Sequence, residues 1–354
     1  MFSFRPLSYR LRQAINLETT LAEIADESWV IAPAEILKVA PAILLPNQAK
    51  RITRTEFAPL DMVMHSLEGE PAQRVGPTMG YRLKHAHIVD GVLYAKGVSQ
   101  HLRARRKRTI FPTKINRERT GALYETWVGN RWFGNWLLDD CLTYRLAEQA
   151  GRPVTTTPIR GGHVPAYEAM LGMRPHRFTD AYFDELYVFS DYWNNSHRMA
   201  RAQDMRRLLL RGVEPPRHPG VFLFRGRSGD LRNLVNEEEI ARRFADERGF
   251  RVMFPEDHSV EELISVCGGA AVVAGIEGSQ LNHGIAVMPP GGALFTIQPA
   301  NRATTAMKLL SDRWGLRFAM IVCEGVAESF KADWDEIART LDLVEAEATR
   351  ASAF

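Results

Sequence analysis

Between Val221 and Cys323 short apolar runs alternate with capped amphipathic segments, and this alternation constrains the fold more than any other feature of the 354 residues. Val221-Phe-Leu-Phe-Arg225 has the length and apolar character of a buried strand. Asn236 then supplies an N-cap with an acid three residues later. Ile240, Ala241, Phe244 and Ala245 form one apolar face, and Gly249 provides the stop. Residues 251–254 read as a second strand. Ser259 with Glu262 caps a helix that turns Leu263, Ile264 and Val266 inward. A strand over 270–275, a helix over 279–287, a strand over 293–298, a helix over 304–314 and a strand over 317–323 follow. Strands separated by helices at this spacing imply a parallel, doubly wound sheet.

The first half is less regular. "HIVDGVLYAKG" (87–97) and "ELYVF" (185–189) have strand character, and "WLLDDCLTYRLAEQAG" (136–151) has helical spacing with a Gly stop. The reading is an α/β N-terminal domain over 1–210 and, after the Pro-rich "RGVEPPRHPG", a Rossmann-like domain over 211–325. A polar amphipathic helix over 326–354 is expected to pack back on the N-terminal domain.

Composition narrows the functional classes. An apolar content of 45% supports two folded domains, and a net charge of +3 suits anionic ligands without demanding nucleic acid. Cys141, Cys267 and Cys323 lie far apart among apolar neighbours, as reduced core thiols do, rather than in a disulfide or zinc pattern. No uninterrupted apolar run reaches membrane-spanning length, and the N-terminus is too charged for a secretory signal, so the expected location is cytoplasmic. Peripheral attachment at the inner face of the membrane and homo-oligomerisation both stay open. The basic run "HLRARRKRT" (101–109) lacks interleaved aromatics. It reads as a solvated loop or a contact for anionic lipid or charged glycan, not as a nucleic-acid site. Asp333-Trp-Asp335 falls in a helix, where the two acids diverge, so no metal site is expected. Trp127, Trp132 and Trp136 read as mostly core.

In an open parallel sheet the ligand crevice lies beyond the carboxyl ends of the strands, which selects the segments after Arg225, Phe254, Gly275 and Gln298. Two of these carry unusual chemistry. In "FRGRSGDLRNLVNEEEI", Arg225, Arg227 and Arg232 sit in a Gly-containing loop that enters a helix. Guanidinium forks and unpaired helix N–H groups both suit a diphosphate. The alternative is a solvated basic loop with a structural cap at Asn236 and Glu237. In "VVAGIEGSQLNHG", Gly275, Gly278 and Ser279 permit close backbone approach, with Glu277 and His283 flanking the opening. Here the alternative is a first-turn acid and a surface histidine. The G-x-G-x-x-G spacing of a nicotinamide site is missing.

These segments, in this order and spacing, resemble the catalytic domain of glycosyltransferase family 61. The counterparts of the family's pattern are Arg225, Arg232 and Asn236-Glu237, then Gly275 to Asn282, then Met288-Pro-Pro-Gly291, with "GNRWFGNWLLDDCLTYRL" (129–146) upstream. Two positions depart from it: Glu277 and Asn135 stand where the family has histidines. The resemblance implies an α/β, GT-B-like architecture, two Rossmann-like domains facing each other across a cleft. It also implies a UDP-linked nucleotide-sugar co-substrate on the C-terminal domain, a glycan, glycolipid or polysaccharide acceptor on the N-terminal one, and inversion at the anomeric carbon. Bacterial members of the family resemble capsule or surface-polysaccharide enzymes.

Inversion needs a base and a cationic or dipolar site for the departing diphosphate. Arg225 and Arg232, with Asn236, Glu237, Gly278, Ser279 and His283, are the candidate donor residues. Glu277 is the first candidate base and Asp139 or Asp140 the second, although Glu277 would equally suit the ribose hydroxyls. With arginines holding the diphosphate, neither metal nor cofactor is required. A non-catalytic nucleotide- or glycan-binding protein derived from such an enzyme is the alternative.

Overall fold

The computed structural model of the chain describes residues 2–6, 20–106, 113–226 and 230–352. It is a mixed α/β protein that divides into two compact units: Met1–Glu35 with Gly76–Arg201, and Ile36–Val75 with Ala202–Phe354. Arg227 and the end of the basic run after Arg106 lie outside the described residues.

The second unit carries the expected parallel sheet. Its strands are β1 (His218–Leu223), β2 (Arg251–Met253), β3 (Ala270–Ile276), β4 (Ala293–Pro299), β5 (Arg317–Val326) and β6 (Ser329–Lys331). The order is β2-β1-β3-β4-β5-β6, parallel up to β5, with β6 returning antiparallel. Helix α1 (Glu237–Arg248) follows β1, α2 (Val260–Cys267) follows β2 and α3 (Ala306–Arg313) follows β4. Gly249 closes α1 in the left-handed conformation (φ 65°), and Ser259 and Glu262 form the capping box of α2.

The helix expected over 279–287 is much shorter. A 3₁₀ turn (Ser279–Leu281) leads into four helical residues (Asn282–Ile285), all buried. The apolar spacing there reflects burial on every side, because Gly284 lies so close to Val273 that a Cβ would collide with it.

Residues 36–75, grouped by sequence with the N-terminal domain, belong to this second unit. Ile43 exchanges hydrogen bonds with Phe318 and Met320 of β5, and Arg51 pairs with Glu336 at 2.5 Å. The C-terminal helix α4 (Trp334–Ser352) lies in the same unit. Its Trp334, Ile337, Leu341 and Val344 pack with Phe222, Phe244 and Phe295. Asp333 Oδ1 accepts from the Asp335 and Glu336 amides, so this acid caps α4.

The first unit differs from a Rossmann-like domain. Its eight-stranded sheet is mixed: strand Ala181–Ser190 runs parallel to Asn116–Leu123 on one side and antiparallel to the long strand Thr78–Val89 on the other. The turn at Asp90-Gly91 (φ 48° and 72°) folds Thr78–Val89 back on Val92–Ala95, a two-residue hairpin whose left-handed backbone suits Asp-Gly. Hairpins account for the antiparallel pairing after Val89, whereas the pairing of Thr78–Val89 with Ala181–Ser190 joins strands far apart in the chain. The segment read as one helix over 136–151 begins as a π-helical turn, Trp136–Asp140, before the α-helix Cys141–Ala150. Cys141, Cys267 and Cys323 are free and buried; burial pushes the latter two thiols up to about 12.

Candidate functional site

The strand order 2-1-3-4-5 reverses direction between β1 and β3, which opens a crevice beyond the carboxyl ends of those two strands. Arg225 follows β1 and Glu277 follows β3, so the topology brings both segments singled out in the sequence to this switch point. Arg225 Nη1 donates to the Glu277 carbonyl at 3.0 Å and Nη2 to the Asp230 carbonyl at 2.6 Å. Arg232 Nη1 donates to Glu277 Oε2 at 2.7 Å.

A third guanidinium completes the cluster. Arg302, in the 3₁₀ turn after β4, donates from Nη1 to the same Glu277 oxygen at 3.2 Å and from Nη2 to Asp230 Oδ2 at 3.2 Å. The exposed Phe57 lies against it, with the guanidinium carbon 5.6 Å from the ring centroid. Three buried or half-buried cations therefore surround one buried carboxylate, with Asp230 and Glu56, the latter 3.9 Å from Arg302 Nε, as the more exposed acids beside them.

The electrostatics follow from that imbalance. Desolvation first, and then the neighbouring Arg225 and Arg302, only partly offset by Glu277 and Asp230, lower Arg232 to about 10. Desolvation likewise lowers Arg225. Arg232 Nε is buried without a hydrogen-bond partner. Positive charge that is desolvated and self-repelling is stabilised by an incoming anion with several acceptor oxygens.

The remaining donor candidates distribute unequally. Glu237 Oε1 accepts from the Arg225 amide at 3.1 Å, and burial raises its carboxyl to about 7. Its charge therefore opposes a bound anion less than that of an exposed glutamate. Asn236 makes no cap bond to α1; its side chain pairs with the Ala332 backbone in both directions. Gly278 is where Arg225 passes, and a Cβ there would collide with Nη1. Ser279 opens only the short 3₁₀ turn, so the aligned peptide dipoles of a long helix are lacking at that point. His283 is buried rather than surface-exposed.

The candidate bases are all engaged. Glu277 is 4% exposed and held by two guanidiniums. In the first unit, Asp139 accepts from Asn135 Nδ2 at 2.8 Å and from Arg198 Nη2 at 2.7 Å. Asn135 thus serves to hold Asp139. Asp140 is fully buried, accepts from Thr126 Oγ1 at 2.7 Å, and is pushed well above the usual carboxylate range by desolvation. It lines a small cavity with Tyr124, Glu125, Trp136, Thr155 and Arg160. Gly129 is essential to this corner, because any Cβ would collide with the Asp140 carboxylate. Trp136 is core, whereas Trp127 is partly exposed.

Sequence reasoning missed Arg302 and Asp230. The strand-end rule did point to the segment after Gln298, but a single arginine among neutral residues gave no cluster to notice. No helix among the described residues is long and apolar enough to cross a membrane.

A comparison with curated proteins returns no match. The family model described as glycosyltransferase 61 matches residues 96–295, which takes in Arg225, Arg232 and Glu277 and stops short of Arg302. With more than half of its length matched, the chain belongs to the glycosyltransferase 61 family.

Proposed function

We propose that the protein is an inverting glycosyltransferase that moves a sugar from a nucleotide-sugar donor, UDP-linked by family resemblance, to a glycan, glycolipid or polysaccharide acceptor. The second unit holds the donor and the first unit the acceptor, the division of labour that the family resemblance implies. The observation that carries this reading is the trio Arg225, Arg232 and Arg302 around Glu277 at the topological switch point. In transfer, the leaving diphosphate gains negative charge, and preorganised guanidiniums stabilise that charge more than the ground state. This role needs no metal. Glu277 then acts as the anchor that fixes two arginines, and these exchange part of their pairing with it for phosphate oxygens when the donor arrives.

Calorimetric titration with a panel of nucleotide sugars and nucleoside diphosphates tests the reading, with Arg225→Ala and Arg232→Ala as controls. Micromolar to millimolar binding that weakens in both variants is expected; no binding to any panel member would sink it. A second reading, a non-catalytic nucleotide- or glycan-binding protein, is favoured by the engagement of Glu277, Asp139 and Asp140 in pairs or burial. Release of free nucleoside diphosphate from a donor, above the uncatalysed rate, excludes that alternative.

A further inference from the structure

The carboxyl ends of β1 and β2 carry an aromatic pair that the arginine cluster does not explain. Phe224 and Phe254 stack with ring centroids 4.0 Å apart and planes 5° from parallel. Phe224 is buried, but Phe254 is 48% exposed, so its exposure falls on the edges and on the face turned away from Phe224. Leaving a large apolar ring in water forgoes its burial, roughly 25 cal/mol for each Å² uncovered.

The pair is fixed beside the arginines. The Phe224 amide donates to the Met253 carbonyl at 2.9 Å, which ties the two strand ends together immediately before the rings. Arg225 is the next residue, with its amide on Glu237 and its guanidinium on the Glu277 and Asp230 carbonyls. The turn after Phe254 is held against the same loop, because Glu256 packs so closely on Gly226 that a Cβ there would strike its carboxylate. One corner of the sheet thus presents a flat, half-exposed ring next to a cationic pocket.

We propose that Phe254 is the platform on which the nucleobase of the donor stacks, continuing the Phe224–Phe254 column while Arg225, Arg232 and Arg302 take the diphosphate. The proposal rests on the donor-site reading. A nucleobase fits because it is flat and aromatic on both faces and is joined through ribose to the anion that the arginines attract, whereas a phenyl ring offers no hydrogen bond to a hydroxyl-rich sugar. Stacking of this kind supplies affinity with little choice among bases, since every base has a π-face.

Titration of the whole chain with UDP, GDP, ADP and inorganic pyrophosphate, for the parent and for Phe254→Ala and Phe254→Trp, tests it. Phe254→Ala is expected to weaken each nucleoside diphosphate about tenfold or more and to leave pyrophosphate unchanged, with Phe254→Trp restoring the difference. Equal losses for pyrophosphate and nucleotides, or no loss for either, would overturn the platform role. Pyrophosphate binding that ignores Arg225→Ala and Arg232→Ala would instead refute the donor site itself, so the two failures are distinguishable.

Discussion

Arg232 Nη1 and Glu277 Oε2 lie 2.7 Å apart, with side chains only 7% and 5% exposed, so the pair is a buried one. Removing the carboxylate leaves the guanidiniums of Arg232 and Arg302 desolvated and facing each other. Glu277→Ala is therefore expected to lower stability by about 3 kcal/mol, read as a drop in thermal or denaturant midpoint. Kinetics separate anchoring from base catalysis. An anchor predicts that Glu277→Gln raises the donor KM more than it lowers kcat and leaves the acidic limb of the pH–rate profile in place. Loss of that limb with an unchanged KM would restore Glu277 as the base.

Arg302 has no counterpart in the sequence reading, yet it shares Glu277 Oε2 with Arg232. Charged hydrogen bonds lost to truncation typically cost about 1.5–3 kcal/mol, so Arg302→Ala should weaken nucleoside diphosphate binding by about tenfold or more. Arg302→Lys should recover only part of this, since an ammonium cannot bridge Glu277 and Asp230 as a planar fork does. Unchanged affinity in Arg302→Ala would remove Arg302 from the site.

These residues show why one half of the molecule was legible and the other was not. In the second unit the parallel strands centre on short apolar runs, such as Val221 to Phe224 and Ala270 to Ile276, and helices α1 and α2 have their own stop and start signals at Gly249 and Ser259, so local pattern and fold agree. Arg225 and Glu277 were found because the strand-end rule needs only the order of elements. The first unit is built from long-range pairing, for example Leu83 with Leu186, which leaves no local period to detect. What each acid does was equally invisible. Asp139, Asp140 and Glu277 look alike in sequence, and only their partners, Arg198 with Asn135, Thr126, and Arg232 with Arg302, distinguish them.

Glu237 makes stability depend on pH with a definite sign. Burial raises its carboxyl to about 7 in the folded protein, above the ordinary glutamate value of 4.5 that applies when unfolded. Between those values the folded state binds more protons, so the contribution of this group is fully present below pH 4.5 and is lost as pH rises through 7. Glu237→Gln keeps an oxygen for the Arg225 amide and removes the ionisation. The variant should be more stable than the parent at pH 8, by on the order of 2 kcal/mol, and should match it near pH 4. Denaturant titrations at the two pH values measure this; a parent whose stability rises from pH 5 to 7 through Glu237 would contradict it.

Gly278 separates binding from folding. Its φ of 162° is extended backbone open to any residue, so an alanine costs no conformational strain there. The Cβ would instead collide with Gln280 Oε1 and, more closely, with Arg225 Nη1, at the far end of a side chain that the Glu277 and Asp230 carbonyls hold in place. The cheapest relief is for Arg225 to swing out and give up those bonds. Gly278→Ala is therefore expected to keep the unfolding free energy within about 1 kcal/mol of the parent, in the range of an ordinary substitution, while lowering diphosphate affinity as far as Arg225→Ala does. The double variant Gly278→Ala, Arg225→Ala should then be no weaker than either single one, since both act through one guanidinium. Additive losses in that cycle would show that Gly278 contacts the ligand through its own backbone, the role that the sequence alone suggested for it.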